Sequence, residues 1–278
     1  MNKKCAYCGN PESLTREHLW PTSLIQRFEE QMITYNGRID KCYESEGTIK
    51  DVCPKYNNNK LSVLDNYLCS LYEKNLKNII SPGQPARLYY NYDLLLRSLL
   101  KISYNVTRSF KKREDIIDIH RKFSKYILGD ELVRPKGIRL HLQIVTSAKL
   151  KNRDTDQIIT TLEPGHLRCG QINYDGILSE KIFIRMVAIK SYYFYIFISK
   201  CPISNSKYRS FIQEISNWKT PYLGIYLNPS SSSVHIPVKK TTYLHPRLLG
   251  SMLTAGINYS LEKNPEFMEY FPDILTFY

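Results

Sequence analysis

The first long regular pattern of apolar positions begins at Leu61. Apolar side chains recur from there at intervals of three and four residues, at Leu61, Leu64, Leu68, Leu71 and Tyr72. Such intervals place side chains on one face of a helix, so the spacing predicts an amphipathic helix from residue 61 to about residue 79. The sequence Ser-Pro-Gly-Gln-Pro at 81–85 interrupts the pattern, because proline and glycine break helices. We predict a domain boundary there.

Two further helical patterns follow the break. The first runs from about Tyr92 to Thr107, and the second from about Glu114 to Leu128, where Gly129 is suited to end a helix. Beyond residue 135 the apolar positions form shorter runs that are typical of strands. The predicted inward positions of the two helices are Leu95, Leu99, Ile102, Val106, Ile117, Phe123 and Ile127.

The predicted strands are Ile138–Val145, Gln157–Leu162, Ile182–Ser199 and Tyr222–Leu227, and a last helix is predicted from Pro246 to about Ser260. Residues 1–60 differ, since they have little helical periodicity and are rich in Cys, Asn, Gly and Pro. The patterns predict an α+β protein of two parts, a small module at 1–80 and a helical segment followed by an α+β domain at 81–278.

Charge is distributed unevenly between these two parts. The net charge is +13, but residues 1–80 contain 11 Lys/Arg and 10 Asp/Glu, so nearly all of the excess lies in residues 81–278. A basic surface attracts the phosphate backbone of nucleic acids. Nucleic acid is therefore the first partner to consider, and a surface charge that only serves solubility is the alternative.

The compartment is predicted from apolar runs and cysteines. No run of about 18 apolar residues is present, so no membrane span is expected. The basic N-terminus leads into no apolar stretch of the kind found in secretory signals. We expect a cytoplasmic protein, and there a close pair such as Cys5 and Cys8 is more typical of metal binding than of a disulfide.

Three motifs follow one another in the first quarter of the chain. They are the Cys-x-x-Cys pair at 5–8, the sequence Arg-Glu-His-Leu-Trp-Pro at 16–21, and the sequence Val-Cys-Pro-Lys-Tyr-Asn-Asn-Asn-Lys at 52–60. In this order and spacing they resemble the HNH endonuclease family, in the variant with an E-H-x-x-P box. The resemblance covers residues 5 to about 68 and implies a ββα-metal module that hydrolyses phosphodiester bonds in DNA.

The resemblance implies a role for four residues of this chain. His18 would be the general base, and a histidine pKa near 6.5 suits this role at neutral pH. Glu17 and Asn57 would bind a catalytic divalent ion such as Mg²⁺, which prefers oxygen ligands. Glu17 departs from the Asp or His that is commoner in the family. Lys60, one turn after Asn57, would contact phosphate.

A second metal is implied by the cysteines. In the family two Cys-x-x-Cys pairs hold a structural Zn²⁺, and here Cys5, Cys8 and Cys53 match three of the four positions. The fourth position is Tyr56. Either Cys42 supplies the missing thiolate or the site is degenerate.

Other functions remain open at this point. A zinc-knuckle protein that binds nucleic acid without cutting it would keep the cysteines and the charge. Alternatively, the C-terminal part could bind a partner protein such as an ATPase, and a homodimer would make duplex cutting easier. Stand-alone members of the family often act in defence against phage or in mobile elements. We expect the remaining histidines to be structural or to lie at the surface, at 120, 141, 166, 235 and 245.

Overall fold

The computed structural model describes residues 4–238, except for 12, 29–32, 37–40, 111–113, 152–154, 173, 175, 177 and 219–223. It combines helices with antiparallel sheets, which confirms the predicted α+β class. The helix predicted at 246–260 lies outside the described residues. Within the described part, no helix has both the length and the apolar character that crossing a membrane requires.

The N-terminal elements are β1 (Thr15–His18), α1 (Thr22–Ile25), β2 (Ile33–Asn36), β3 (Lys41–Glu44), β4 (Thr48–Val52) and α2 (Ser62–Leu71). β1 pairs with β4, and β2 pairs with β3, both antiparallel. π-helical segments at Tyr56–Leu61 and Tyr72–Leu76 flank α2. The helical stretch thus begins before residue 61, where the prediction places its start. The prediction missed the first turns because they are polar and carry no apolar periodicity. We call β1, β4 and the helical residues 54–76 the ββα unit.

The later elements are β5 (Ala86–Tyr89), α3 (Tyr92–Phe110), α4 (Glu114–Arg121), α5 (Ser124–Leu128), β6 (Ile138–Ile144), β7 (Ala148–Lys151), β8 (Ile158–Leu162), β9 (Leu167–Ile172), β10 (Ile182–Ile189), β11 (Tyr192–Ser199), α6 (Asn205–Trp218), β12 (Ile225–Tyr226) and β13 (Ser233–Ile236). A five-stranded sheet has the order β12-β6-β11-β10-β9. Two-stranded pairs join β5 to β13 and β7 to β8.

Several predicted boundaries were wrong. The helix predicted at 114–128 is divided into α4 and α5 by a turn at Lys122 and Phe123, and α5 ends at Gly129 as predicted, with φ of +74°. The strand predicted at 182–199 is a hairpin whose turn consists of Lys190 and Ser191. Both faces of both strands are buried, so the strands show no alternation of apolar and polar residues, and the polar pair Lys190-Ser191 alone separates their two apolar runs.

The apolar core covers both faces of the sheet. One cluster contains the residues of β6, β10 and β11 that face α3, together with the apolar side of the ββα unit. It includes Leu64 and Leu68 from one side of residues 81–85 and Leu95 and Leu99 from the other. A second cluster joins the opposite face of β10 and β11 to Phe211 and Ile215 of α6. α3 therefore packs against both the sheet and the ββα unit.

Candidate functional site

A tight turn at residues 5–10 carries the first two cysteines. Gly9 N donates a hydrogen bond to the carbonyl oxygen of Cys5 at 2.8 Å, and Cys5 N donates to the carbonyl oxygen of Asn10 at 2.9 Å. Gly9 has φ of +76°, a conformation that residues with a side chain rarely adopt. Ala6 N donates to Asp51 O at 2.8 Å, which joins the turn to β4. Cys53 follows β4 directly, so the three cysteines meet.

The Sγ atoms of Cys5, Cys8 and Cys53 lie within 4.8 Å of one another. Cys5 and Cys53 are buried, and Cys8 is half-buried. Thiolates around a tetrahedral zinc ion are about 3.8 Å apart, given bonds of about 2.3 Å. Small side-chain shifts would bring the three sulfurs to that separation. The group could therefore hold a metal ion, as the sequence predicted.

Backbone groups favour the thiolate of Cys5. Burial acts to raise the pKa of Cys5, but N–H groups of Cys8, Cys53 and Tyr7 lower it, and the net pKa is below the ordinary thiol value. The bond from Cys53 N to Cys5 Sγ measures 3.5 Å. Since the thiolate is the form that binds metals, this turn prepares one ligand in advance.

The position at which the HNH resemblance predicts a fourth cysteine holds Tyr56, at the start of the first π-helical segment. Burial raises the pKa of its hydroxyl group, and the sulfurs of Cys8 and Cys53 raise it further. The hydroxyl therefore keeps its proton and is a poor ligand. Cys42 belongs to β3, and its side chain lies outside the described residues. Within the described part of the chain the group consists of three ligands.

His18 is the last residue of β1 and is partly open to solvent, with 35% of its side chain exposed. Its Nε2 atom lies 3.3 Å from Oε2 of Glu46, which precedes β4 and is 53% exposed. The backbone here is fixed, because Leu19 N donates to Gly47 O at 3.0 Å. In a neutral imidazole the nitrogen that faces a carboxylate carries the proton, so Nδ1 keeps the lone pair.

Asn57 reaches from the helix back to β1. Its Nδ2 donates to Thr15 Oγ1 and to the carbonyl oxygen of Arg16, both at 2.9 Å. Because the amide nitrogen is used twice, the Oδ1 atom remains as the acceptor or ligand, and no other described residue bonds it. Lys60 lies one turn later and forms an ion pair with Asp130. A phosphate at Lys60 would have to compete with this carboxylate.

Glu17 faces the interior rather than the surface that His18 faces, as the alternation along a strand requires. Its Oε1 atom lies 2.7 Å from Lys101 Nζ, which also lies 2.6 Å from Asp65 Oδ1. Lys101 is 2% exposed. Burial acts to lower the pKa of Lys101, but Asp65 and Glu17 raise it above the ordinary value, so the ammonium group stays charged. A buried cation thus already neutralises Glu17.

Two further side chains of α3 hold the same strands. Asn105 Nδ2 donates to His18 O at 3.0 Å and to Glu17 Oε1 at 3.2 Å. Arg108 is paired with Asp51 at 3.0 Å, and its guanidinium group lies 4.0 Å above the ring of Tyr104. Tyr104 in turn donates from its hydroxyl to Ala6 O at 2.9 Å. α3 therefore positions β1, β4 and the cysteine turn together.

Sequence analysis did not identify Lys101, Asn105, Arg108 or Asp65. The three residues of α3 are spaced by four and three positions, so they form one polar stripe along the predicted helix. Such a stripe is ordinarily the solvent face. Here it is buried because α3 packs on all sides. The signal in the sequence was that Leu96, Leu100 and Tyr104 place apolar side chains outside the predicted inner face.

Comparison of the chain with protein-family models, with curated proteins and with solved structures gives no match. The resemblance to the HNH family therefore depends on the motif residues and their arrangement alone, and it stays a prediction.

Proposed function

We propose that this protein is a metal-dependent nuclease that hydrolyses phosphodiester bonds in DNA, with His18 as the general base. The observation that supports this most is the arrangement of the ββα unit. His18 ends the first strand, an antiparallel strand lies beside it, and the following helix sends Asn57 back to the backbone of Arg16, two residues before His18. The ββα-metal module implied by the sequence has this order of elements.

In this proposal His18 accepts the proton of the attacking water at Nδ1. Glu46 holds Nε2 and so fixes the tautomer in which Nδ1 can act as a base. The side chain is open enough to solvent for a water molecule and a phosphate to approach. The turn around Gly47 fixes the backbone of the histidine, so the ring is positioned before substrate binds.

Asn57 would supply one oxygen ligand to a divalent ion, since its Nδ2 atom is already held and its Oδ1 atom is not. A bound Mg²⁺ would neutralise charge on the phosphate and stabilise the departing oxygen. Mg²⁺ commonly takes only one or two protein ligands beside water and phosphate oxygens, so Asn57 and the substrate fit its needs. Glu17 fits less well, because Lys101 already occupies the position beside its Oε1 atom.

The cysteine group would hold a structural Zn²⁺. Sulfur ligands favour zinc over magnesium, and the three thiols lie at one end of the ββα unit. This unit is short of apolar residues in its first part, and a metal would link the turn at Cys5 to the start of the helix. The basic residues of 81–278 would add affinity for the phosphate backbone.

The nuclease proposal is tested with supercoiled plasmid, added Mg²⁺ or Mn²⁺, and two histidine variants. We expect the wild type to nick the plasmid and His18→Ala to lose the activity by a factor of at least about 100, the usual contribution of a general base. His235→Ala is the matched control, because His235 is an exposed histidine on β13. Equal activity of His18→Ala and the wild type would contradict the assignment.

A second candidate function is favoured by the ion pair of Glu17 with Lys101. If Glu17 is purely structural, the chain could bind DNA through its basic surface without cutting it. Metal-independent DNA binding, no nicking by the wild type and no effect of His18→Ala would support this candidate. A steep fall of affinity with salt would show that phosphate contacts dominate, whereas a shallow slope would favour a protein partner.

A further inference from the structure

A cavity of about 390 Å³ lies between β6, β12 and the first turns of α6, on the face of the sheet opposite α3. Cavities that hold small molecules usually measure about 300–1,000 Å³. Two arginines and three aromatic side chains form most of its lining, together with Asn205 and Ile212; these five are Arg139, Arg209, His141, Tyr208 and Tyr226. None of them belongs to the ββα unit, so the cavity is separate from the candidate nuclease site.

The described residues do not neutralise the positive charge of the cavity. Within the described residues neither Arg139 nor Arg209 forms an ion pair, and the lining contains no carboxylate. Arg139 Nη2 donates to Asn205 Oδ1 at 2.6 Å, and its guanidinium group lies 4.2 Å above the ring of Tyr208. These contacts use few of its five N–H donors and hold the group in a fixed orientation. A fixed guanidinium group with free donors is suited to binding a phosphate.

The aromatic side chains of the cavity are held in place by contacts with His141. His141 is buried and contacts the rings of Phe197, Tyr208 and Tyr226, with the centroid of Tyr226 at 5.8 Å. Tyr226 is 44% exposed, so one large ring remains open to solvent. Burial and the neighbouring Arg139 lower the pKa of His141 to about 4, so the histidine is neutral at pH 7. The charge in the cavity therefore comes from the two arginines.

A ligand with a planar ring beside an anionic group would fit both the aromatic side chains and the arginines of this cavity. We propose that it binds a nucleoside 5′-phosphate, whose base packs against Tyr226 and whose phosphate contacts Arg139 and Arg209. The proposal does not depend on nuclease activity. The ligand could be a free nucleotide or the 5′-phosphorylated end of a nucleic acid strand, since both present the same chemistry.

The proposal is tested by isothermal titration calorimetry on the full chain carrying His18→Ala, which prevents cleavage of the probe. The four nucleoside 5′-monophosphates, adenosine, inorganic phosphate and a 5′-phosphorylated tetranucleotide are titrated separately. We expect saturable binding of at least one monophosphate or of the tetranucleotide, and binding at least tenfold weaker for adenosine and for phosphate. Tighter binding of the tetranucleotide would identify the strand end as the source, and tighter binding of a monophosphate would identify the free nucleotide.

Two variants of the cavity have matched controls elsewhere in the chain. Arg209→Gln and Tyr226→Ala should each weaken binding about tenfold or more. Arg87→Gln and Tyr89→Ala should leave binding unchanged, because neither residue lines the cavity. They are matched controls, since Arg87 lies over Tyr89 at 4.8 Å in a similar exposed pair on β5. No saturable binding of any nucleotide probe, or binding that neither cavity variant weakens, would overturn the proposal. Phosphate that binds as tightly as every nucleotide would overturn it as well.

Discussion

Strands β10 and β11 are buried on both faces mostly by apolar side chains, with Arg185 of β10 as the exception, whereas β1 and β4 are held by polar and charged side chains of α3 and by the cysteine turn. Apolar burial depends on area and hardly on direction. Hydrogen bonds, ion pairs and thiolate ligands depend on geometry. The sheet should therefore tolerate conservative changes, and the ββα unit should be sensitive to the loss of single atoms while keeping its residues accurately positioned.

The largest difference between the two regions is expected from loss of the cysteine group. If the cysteine group holds the proposed structural zinc, Cys53→Ala removes one of its ligands, and such a zinc contributes about 10–16 kcal/mol in isolated zinc fingers. We expect the purified variant to lose its metal and the amides of β1 and β4 to exchange with solvent far faster, while those of β10 and β11 stay protected. Metal analysis and hydrogen exchange measured by mass spectrometry would check this.

Cys69→Ala is the matched control for that experiment, since Cys69 is also buried but contacts Ser23 at 3.1 Å rather than the cysteine group. It should keep the metal and the protection of β1. Retention of metal by Cys53→Ala with unchanged exchange would remove the proposed distinction between the two regions.

The next largest effect is expected at the buried cation. Lys101→Met would leave Glu17 and Asp65 without their common partner, and breaking a buried ion pair in this way costs about 3–5 kcal/mol. Urea unfolding should measure this loss. Replacing the carboxylates too, in Lys101→Met/Glu17→Gln/Asp65→Asn, should recover most of it. If the triple variant were no more stable than the single one, the loss would not come from the two unpaired carboxylates, and this explanation would be wrong.

Acidification should weaken the packing between α3 and the sheet. His120 is buried between Tyr104 and Phe183, and burial followed by the charge of Arg185 lowers its pKa to about 3. Because the unfolded chain binds this proton below a pH of about 6.5, stability is fully present above that pH and is lost as the pH falls towards 3. Between pH 7.5 and pH 5 the loss should be about 2 kcal/mol.

Unfolding in urea at several pH values would measure that dependence, with His120→Gln as the comparison. The variant is less stable at neutral pH but lacks the titrating group, so its curve against pH should be flatter by about the same 2 kcal/mol. Parallel curves for the two proteins would show that folding does not lower the pKa of His120.

The smallest effect on stability is expected at the surface of the ββα unit. Lys60→Ala removes an exposed ion pair with Asp130, which contributes at most about 1 kcal/mol. If Lys60 contacts phosphate, the slope of log affinity for DNA against log salt should become shallower by about 0.9. Lys125→Ala removes another exposed pair, with Glu131, and should leave that slope unchanged. Equal slopes for both variants would exclude a phosphate contact at Lys60.

Sequence patterns predicted the α+β class, α3, β6 and the meeting of Cys5, Cys8 and Cys53. Periodicity was sufficient where one apolar face is continuous, as along α3. It failed at the hairpin turn at Lys190, because β10 and β11 are apolar on both faces. α6 was missed although Tyr208, Phe211 and Ile215 repeat at helical spacing, since the surrounding sequence is polar.

The candidate site was predictable only as far as local motifs extend. His18, Asn57 and the cysteines belong to compact motifs whose spacing is visible in the sequence. Lys101 and Asn105 lie more than 80 residues from Glu17, and only the folded chain brings them beside it. Long-range partners of this kind leave no local pattern. A buried polar stripe and an exposed one have the same spacing, so spacing alone does not distinguish them.

The position of α3 has a consequence for how the motif could be moved to another protein. A fragment that ends at residue 80 would keep every residue of the three motifs but would lose Lys101, Asn105 and Arg108. Glu17 and Asp51 would then have no counter-charge, and the carbonyl oxygen of His18 would have no donor from α3. A fragment that keeps the site intact must therefore extend at least through Phe110, well past the break that the sequence places at 81–85.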